Sequence, residues 1–332
     1  MPLEKTLTAL LLAASAAASA APPAWSVVDH IPIGGEPRWD YLLADAATAR
    51  LYVSHGDRVE VIDTRGKRVV GAVEGLAGVH GIALAPELGL GFATSGRGDS
   101  VAVFTLATLK VAAVIKAGGN PDAIVYDPAS QRVLAFNGKS HDVSVIDARA
   151  GRVVATVPVG GKPEFAQLDA RHHAWFNVED TSELVEFDPA AARIVGRHPL
   201  APCDSPSGLA TDGTSRLVAV CDNAMMAVVD AQGRLLAHPA IGHGPDGVAW
   251  LDGHAFSANG RDGTVSEVAE TAPGRFETVA TFPTAPGART IAADPATHRL
   301  YLPTAKFAPA PAGQRASGVA GTFEVLVLAH RP

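Results

Sequence analysis

The sequence predicts an all-β fold, a seven-bladed β-propeller with four antiparallel strands per blade, and three observations carry that prediction. A short phrase recurs seven times along the chain. The stretches between recurrences break into runs of Val, Ile and aromatic residues parted by Asp, Pro, Gly, Ala and Ser, the signature of short strands and tight turns. A segment ahead of the first phrase matches the strand type that the last repeat lacks. The phrase reads WDYLLAD at 39–45, VHGIALAP at 79–86, PDAIVYDP at 121–128, PEFAQLD at 163–169, PSGLATD at 206–212, PDGVAW at 245–250 and ARTIAAD at 288–294. Successive offsets of 40, 42, 42, 43, 39 and 43 residues are those of radially repeated four-stranded units.

The third repeat is the clearest: DAIVYD, RVLAFN, DVSVID and RVVATVPV follow one another, separated by turns such as DPASQ and DARAG. The seventh supplies ARTIAAD, HRLYLP and FEVLVLA and then ends. Residues 27–35, VVDHIPIGG, resemble VVATVPVGG at 153–161, so the N-terminal segment is expected to serve as the outer strand of the seventh blade and close the ring. Residues 21–332 then form one domain with nothing left for a second. Residues 1–20, MPLEKTLTALLLAASAAASA, have the lysine, short apolar run and Ala-Ser-Ala end of an export signal cleaved after Ala20. A periplasmic or secreted location is expected.

The formal net charge is −7, with no run of Lys or Arg and no stretch long enough to span a bilayer. Nucleic acid and membrane insertion are therefore not expected partners. A monomer binding a small ligand or a protein is expected. Two cysteines in an oxidising compartment suggest one disulfide. Cys203 lies in the loop entering the fifth blade and Cys221 ends that blade's second strand, on the same edge. The alternative is a soft-metal site for Cu(I) on Cys221, Met225 and Met226, with a copper-handling or redox role.

The phrases WDYL (39–42), LYVSH (51–55), NPDAIVYDP (120–128), FNGKSHD (136–142), KPEF (162–165), APC (201–203), GARTIAADP (287–295) and YLPTA (301–305) are similar to those of the YncE-like, YVTN-repeat family of secreted bacterial seven-bladed propellers. The resemblance covers nearly all of the mature chain. It implies the propeller fold and ligand binding, and no particular reaction. The third strands end in VID, FD or VVD, which sets the chain apart from WD40 propellers.

In a propeller the first strand lines the channel and each later strand reverses direction. Entry to the first strand and the turn between the second and third strands therefore share one face. Aligned on the aspartate ending the first strand, one position is occupied in turn by Asp40, His80, Asp122, Glu164, Ser207, Asp246 and Arg289, which should ring one channel mouth. The turns of that face add His55, Asn137, His141, Asn177, Glu179, Asp180, Asp222, Asn223, Asn259, Arg261 and Lys306, and His243 joins from a loop. His172, His173, His254 and His298 fall on the other face as solvated turn residues.

Clustered carboxylates raise one another's pKa unless a cation relieves them. The candidate ligand is therefore a divalent metal ion, on Asp122, Glu164, His80 and His141, or an organic cation. A non-enzymatic binding propeller is the leading expectation. The alternative is a lactonase-like, metal-assisted hydrolase with Glu164 or His141 as general base. The expanded turn at 303–321, rich in Pro, Ala and Gly, should lie over the same mouth as a lid or a surface loop.

Overall fold

The computed structural model describes residues 25–309 and 316–330. The proposed export signal lies outside the described residues. Seven four-stranded antiparallel sheets are present, each with strands in simple up-and-down order. In the third blade the strands Pro121–Asp127, Arg132–Asn137, Asp142–Asp147 and Arg152–Pro158 fall where the sequence put them. In the seventh, Ala292–Asp294, Arg299–Thr304 and Glu324–His330 are completed by the N-terminal strand Trp25–Pro32. Val27 faces Leu328 and Ile31 faces Val325 in that pairing. Among the described residues, no helix is long and apolar enough to cross a membrane.

The outer strand of every blade joins its neighbour through a β-bulge, for example at Val61/Ile62, Val145/Ile146 and Glu267/Val268. A bulge adds local twist. The same irregularity, at Val27/Asp29, marks the N-terminal strand, which therefore behaves as a true fourth strand.

Burial is organised as seven wedges between adjacent blades. Phe136, Phe176, Val185 and Phe187 pack between the third and fourth, and Trp25, Phe256, Phe282, Leu300 and Leu328 between the sixth and seventh. Strands of one blade present alternate residues to the two neighbouring wedges, which is why central strands such as Val133–Asn137 are buried throughout. The blades approach most closely at the channel. A Cβ on Gly81 would sit 2.8 Å from the Asp122 carbonyl oxygen, and one on Gly208 2.7 Å from that of Asp246, so only glycine fits there. The Cys203–Cys221 disulfide is present in the fifth blade. With both sulfurs committed, the Cu(I) site on Cys221, Met225 and Met226 is overturned, and Met226 is core packing.

Candidate functional site

Ring residues are aimed by a break in strand pairing. Between first and second strands the register shifts at Val79/Ile82, Pro121/Ile124, Pro163/Ala166, Pro206/Leu209 and Pro245/Gly247. His80, Asp122, Glu164, Ser207 and Asp246 sit inside those shifts. In the first and seventh blades the strand begins later, at Leu42 and Ala292, and Asp40 and Arg289 lie just ahead of it. Freed from the ladder, these side chains turn toward the channel.

Their backbones are held by neighbouring blades. Thr290 Oγ1 donates to the Asp40 carbonyl (2.7 Å), Thr94 Oγ1 to that of Asp122 (2.8 Å), Asn177 Nδ2 to that of Ser207 (2.8 Å), and the Gly247 amide to that of Arg289 (2.8 Å). Four of the seven ring positions are thereby registered against an adjacent blade.

The side chains form an alternating circuit over most of the ring. Arg289 Nε donates to Asp246 Oδ2 at 2.7 Å, and its Nη2 lies 3.8 Å from Asp40 Oδ1. His80 Nδ1 contacts Asp40 Oδ2 at 2.6 Å and stands 3.7 Å from Asp122 Oδ1. Alternation fails between the third and fourth blades, where Asp122 and Glu164 are adjacent acids. Glu164 accepts from Lys162 Nζ (2.7 Å) and from Tyr41 Oη across the channel (3.3 Å), and Lys162 also pairs with Glu179. Asp122 Oδ1 is buried and has no hydrogen-bond partner.

The electrostatic consequences follow. Burial, then the charge of Asp40, lifts the Asp122 carboxyl to about 7 against the partial opposition of His80. Burial and the charge of Asp122 lift Glu164 to about 8. Burial also raises Asp246, with Arg289 pulling the other way. For His80 burial disfavours the imidazolium, but the Asp40 hydrogen bond and the Asp122 charge prevail and raise it to about 9.

Beneath the ring the channel becomes apolar. Tyr41 and Phe165 meet edge-to-face with centroids 4.6 Å apart. Below them lies a cavity of about 420 Å³ lined by Leu42, Leu84, Val125 and Leu168.

Several residues expected around the mouth are placed elsewhere. His55 is buried, its Nδ1 on Glu60 (3.0 Å), its Nε2 on the Glu36 carbonyl (2.7 Å) and its ring against Phe323, so it fastens a loop. Asn137 binds Asp142 and Ser144, and Asn259 binds Thr264 and Ser266, each tying its own second and third strands together. Asn177 acts between blades, as described. His141 is an exposed turn residue with φ 56°, and no side-chain hydrogen bond joins it to Glu164 among the described residues. The pair of general-base candidates is thus not assembled, and His141 does not join Asp122, Glu164 and His80. Lys306 is exposed and held by its backbone, its amide donating to Thr322 Oγ1 and its carbonyl accepting from the Val319 amide. Glu179 reaches the ring through Lys162 alone.

On the opposite face the histidines are not simply solvated. His172 Nδ1 contacts Asp127 of the preceding blade (2.8 Å), His298 contacts Asp252 (2.8 Å), and His254 pairs with Glu267. His173 meets Glu186 at 2.6 Å beside Asp169, a potential ligand trio, but Arg171 Nη2 already lies 2.7 Å from both carboxylates. Sequence reasoning missed Lys162, Tyr41 and the backbone anchors Thr94 and Thr290. Lys162 stands two residues ahead of a ring position, within reach of an alignment extended beyond the strand.

No family model matches the chain, and no curated protein does. Solved structures do. A streptogramin B lyase structure superposes with a TM-score of 0.73 over 92% of this chain and 98% of its own, at 10% identity. The RRP9 WD40 repeats give 0.75 over 91% and 97%, also at 10% identity. The Kuenenia stuttgartiensis hydrazine synthase gives 0.67 over 80% and 92%, at 16% identity. At such identities these likenesses concern architecture, and what they establish with the strand topology is that this chain is a seven-bladed β-propeller.

Proposed function

We propose that the protein is an exported, YncE-like propeller that binds a divalent metal ion at the ringed mouth of its channel, on Asp40, His80 and Asp122. The observation that carries this reading is the convergence of His80 Nδ1 and one oxygen from each of two carboxylates within 4.8 Å of one another, with Asp122 Oδ1 buried and unpartnered. A metal with bonds of about 2.0–2.1 Å sets tetrahedral donors about 3.3 Å apart. The 2.6 Å and 3.7 Å separations from His80 Nδ1 straddle that value. One nitrogen and two oxygen donors suit a borderline first-row ion such as Zn²⁺ or Mn²⁺.

Binding replaces the proton that His80 shares with Asp40, so affinity rises with pH. Arg289, held by Asp246, keeps the Asp40 carboxylate in place from the other side. Lys162 and Tyr41 occupy Glu164, leaving it as an outer neighbour of the ion.

Calorimetric titration of chelator-treated protein with Zn²⁺ at pH 7 tests the reading. One site per chain with net proton release, weakened at least about 100-fold in Asp122→Asn, is expected. Equal binding by parent and variant, or none at submillimolar metal, would refute it.

A further inference from the structure

A second cleft opens on the same face, between the sixth, seventh and first blades, with a volume of about 790 Å³. Its walls include Arg38, Arg261 and Arg289, the rings of Trp39 and Phe307, and the backbone of Gly287. In a chain of net charge −7, three arginines around one cavity run against the bulk charge. Their commitments differ. Arg289 is spent on the ring: it donates to Asp246 Oδ2 and to the Trp39 carbonyl (2.8 Å), with its guanidinium 5.6 Å from the Trp39 ring centroid. Arg38 makes no ion pair within 4 Å among the described residues, although it also lines a neighbouring cleft with Glu36, Asp57 and Glu74 and its charge helps to lower the Asp57 carboxyl. Arg261 has only Asp222, at 3.9 Å, with both side chains about two-thirds exposed, a pair of little worth.

Two guanidinium groups outside any strong ion pair therefore stand at the rim of a cavity walled by Gly and Pro backbone and by two aromatic rings, Phe307 partly open and Trp39 largely buried. Phe307 is 36% exposed, one of the few large apolar side chains left open outside the outer strands. It leans on Trp39 at 6.2 Å between centroids, and Trp39 stacks on Phe323 at 5.4 Å, so the aromatic wall is fixed from behind. Arg289 stands between this cleft and the acids Asp40 and Asp246, and its charge offsets the repulsion an anion would otherwise meet there. Guanidinium groups match a carboxylate in geometry and charge, and a rigid aromatic wall favours a flat apolar body. The volume is that of a small-molecule site.

We propose that this cleft binds a small organic carboxylate with a flat apolar body, its carboxylate on Arg38 and Arg261 and its body against Trp39 and Phe307. The site is independent of the metal reading and is tested in metal-free protein.

The probe is indole-3-acetate, with the uncharged indole-3-acetamide as control, titrated by calorimetry and by NMR of ¹⁵N-labelled full-length chain. Saturable binding of indole-3-acetate is expected, at least about tenfold tighter than the amide. The Arg38→Ala, Arg261→Ala double variant, both side chains being exposed, should lose about tenfold or more, and Phe307→Ala about fivefold. Asp122→Asn should bind the probe as the parent does while losing the metal, which separates failure here from failure of the metal reading. Equal binding of acid and amide, unchanged binding by the double variant, or no saturation at about 10 mM would overturn the proposal.

Discussion

The two ends of the channel use the same residue types to opposite effect. At the lower end, aspartates close the first strands and accept hydrogen bonds from the turns that follow. Asp212 takes the amides of Thr214, Ser215 and Arg216 at 2.7, 2.7 and 3.0 Å. Asp169 takes those of Arg171 and His173 and the Trp175 indole. Burial works against both, yet these donors hold both carboxyls below the ordinary value. At the upper end Asp122 and Glu164 are buried with too few donors and too many like charges, and their carboxyls rise. The aspartate that closes the first strand in five of the seven blades is therefore a turn cap, whereas the position where residue type varies from blade to blade is where buried like charges crowd together.

The largest expected effect breaks the lower end. Asp169→Ala leaves two amides, an indole N–H and Arg171 without their acceptor, and a loss of about 3 kcal/mol in unfolding free energy is expected by denaturant titration. The matching change above should have the opposite sign. Asp122→Asn removes a buried charge, and the melting temperature of metal-free protein at pH 8.5 is expected to rise by about 4 °C, with no gain at pH 4, where the parent residue is already protonated.

The pH profile sharpens the contrast. A carboxyl whose folded value is raised binds its proton more tightly in the native state, so its contribution is full below the unfolded value and is lost as pH climbs through the folded one. Asp122 thus erodes stability between 3.8 and about 7, and Glu164 between 4.5 and about 8. His80, raised from 6.5 to about 9, removes its share across that last interval. Metal-free protein should lose stability steadily from about pH 4 to pH 9, and the Asp122→Asn, Glu164→Gln double variant should flatten the decline. The lowered carboxyls of Asp169 and Asp212 act in the other sense, their stabilisation failing only as pH falls below the ordinary carboxylate range. The smallest effect is expected at His141→Ala, an exposed turn position, where stability should stay within about 0.5 kcal/mol and metal affinity should not change.

How much of this was legible in the residues follows from the same contrast. Period and turn chemistry are local, so the seven blades, the closing strand and the disulfide pair could be read from offsets and strand order alone. The ring could be read as well, because one aligned position maps to one axial height. The fates of His55, Asn137, Asn177 and Asn259 could not. Each lies at the end of a second strand, where alignment gives the face but not whether the side chain turns outward or bonds Glu60, Ser144, Ser207 or Ser266. That choice is made by partners on other strands, and for Asn177 on another blade. The His–carboxylate clamps below were hidden for the same reason, since His172 and Asp127 belong to different repeats.

Carboxyl ¹³C NMR of metal-free protein, following Asp122 and Asp212 in one pH titration, addresses the contrast most directly. The account predicts Asp122 changing near pH 7 while Asp212 changes below 3.8. If the two were to titrate together near the ordinary value, the like-charge crowding that a cation would relieve would be absent from the upper mouth, and its assignment as a cation site would be contradicted.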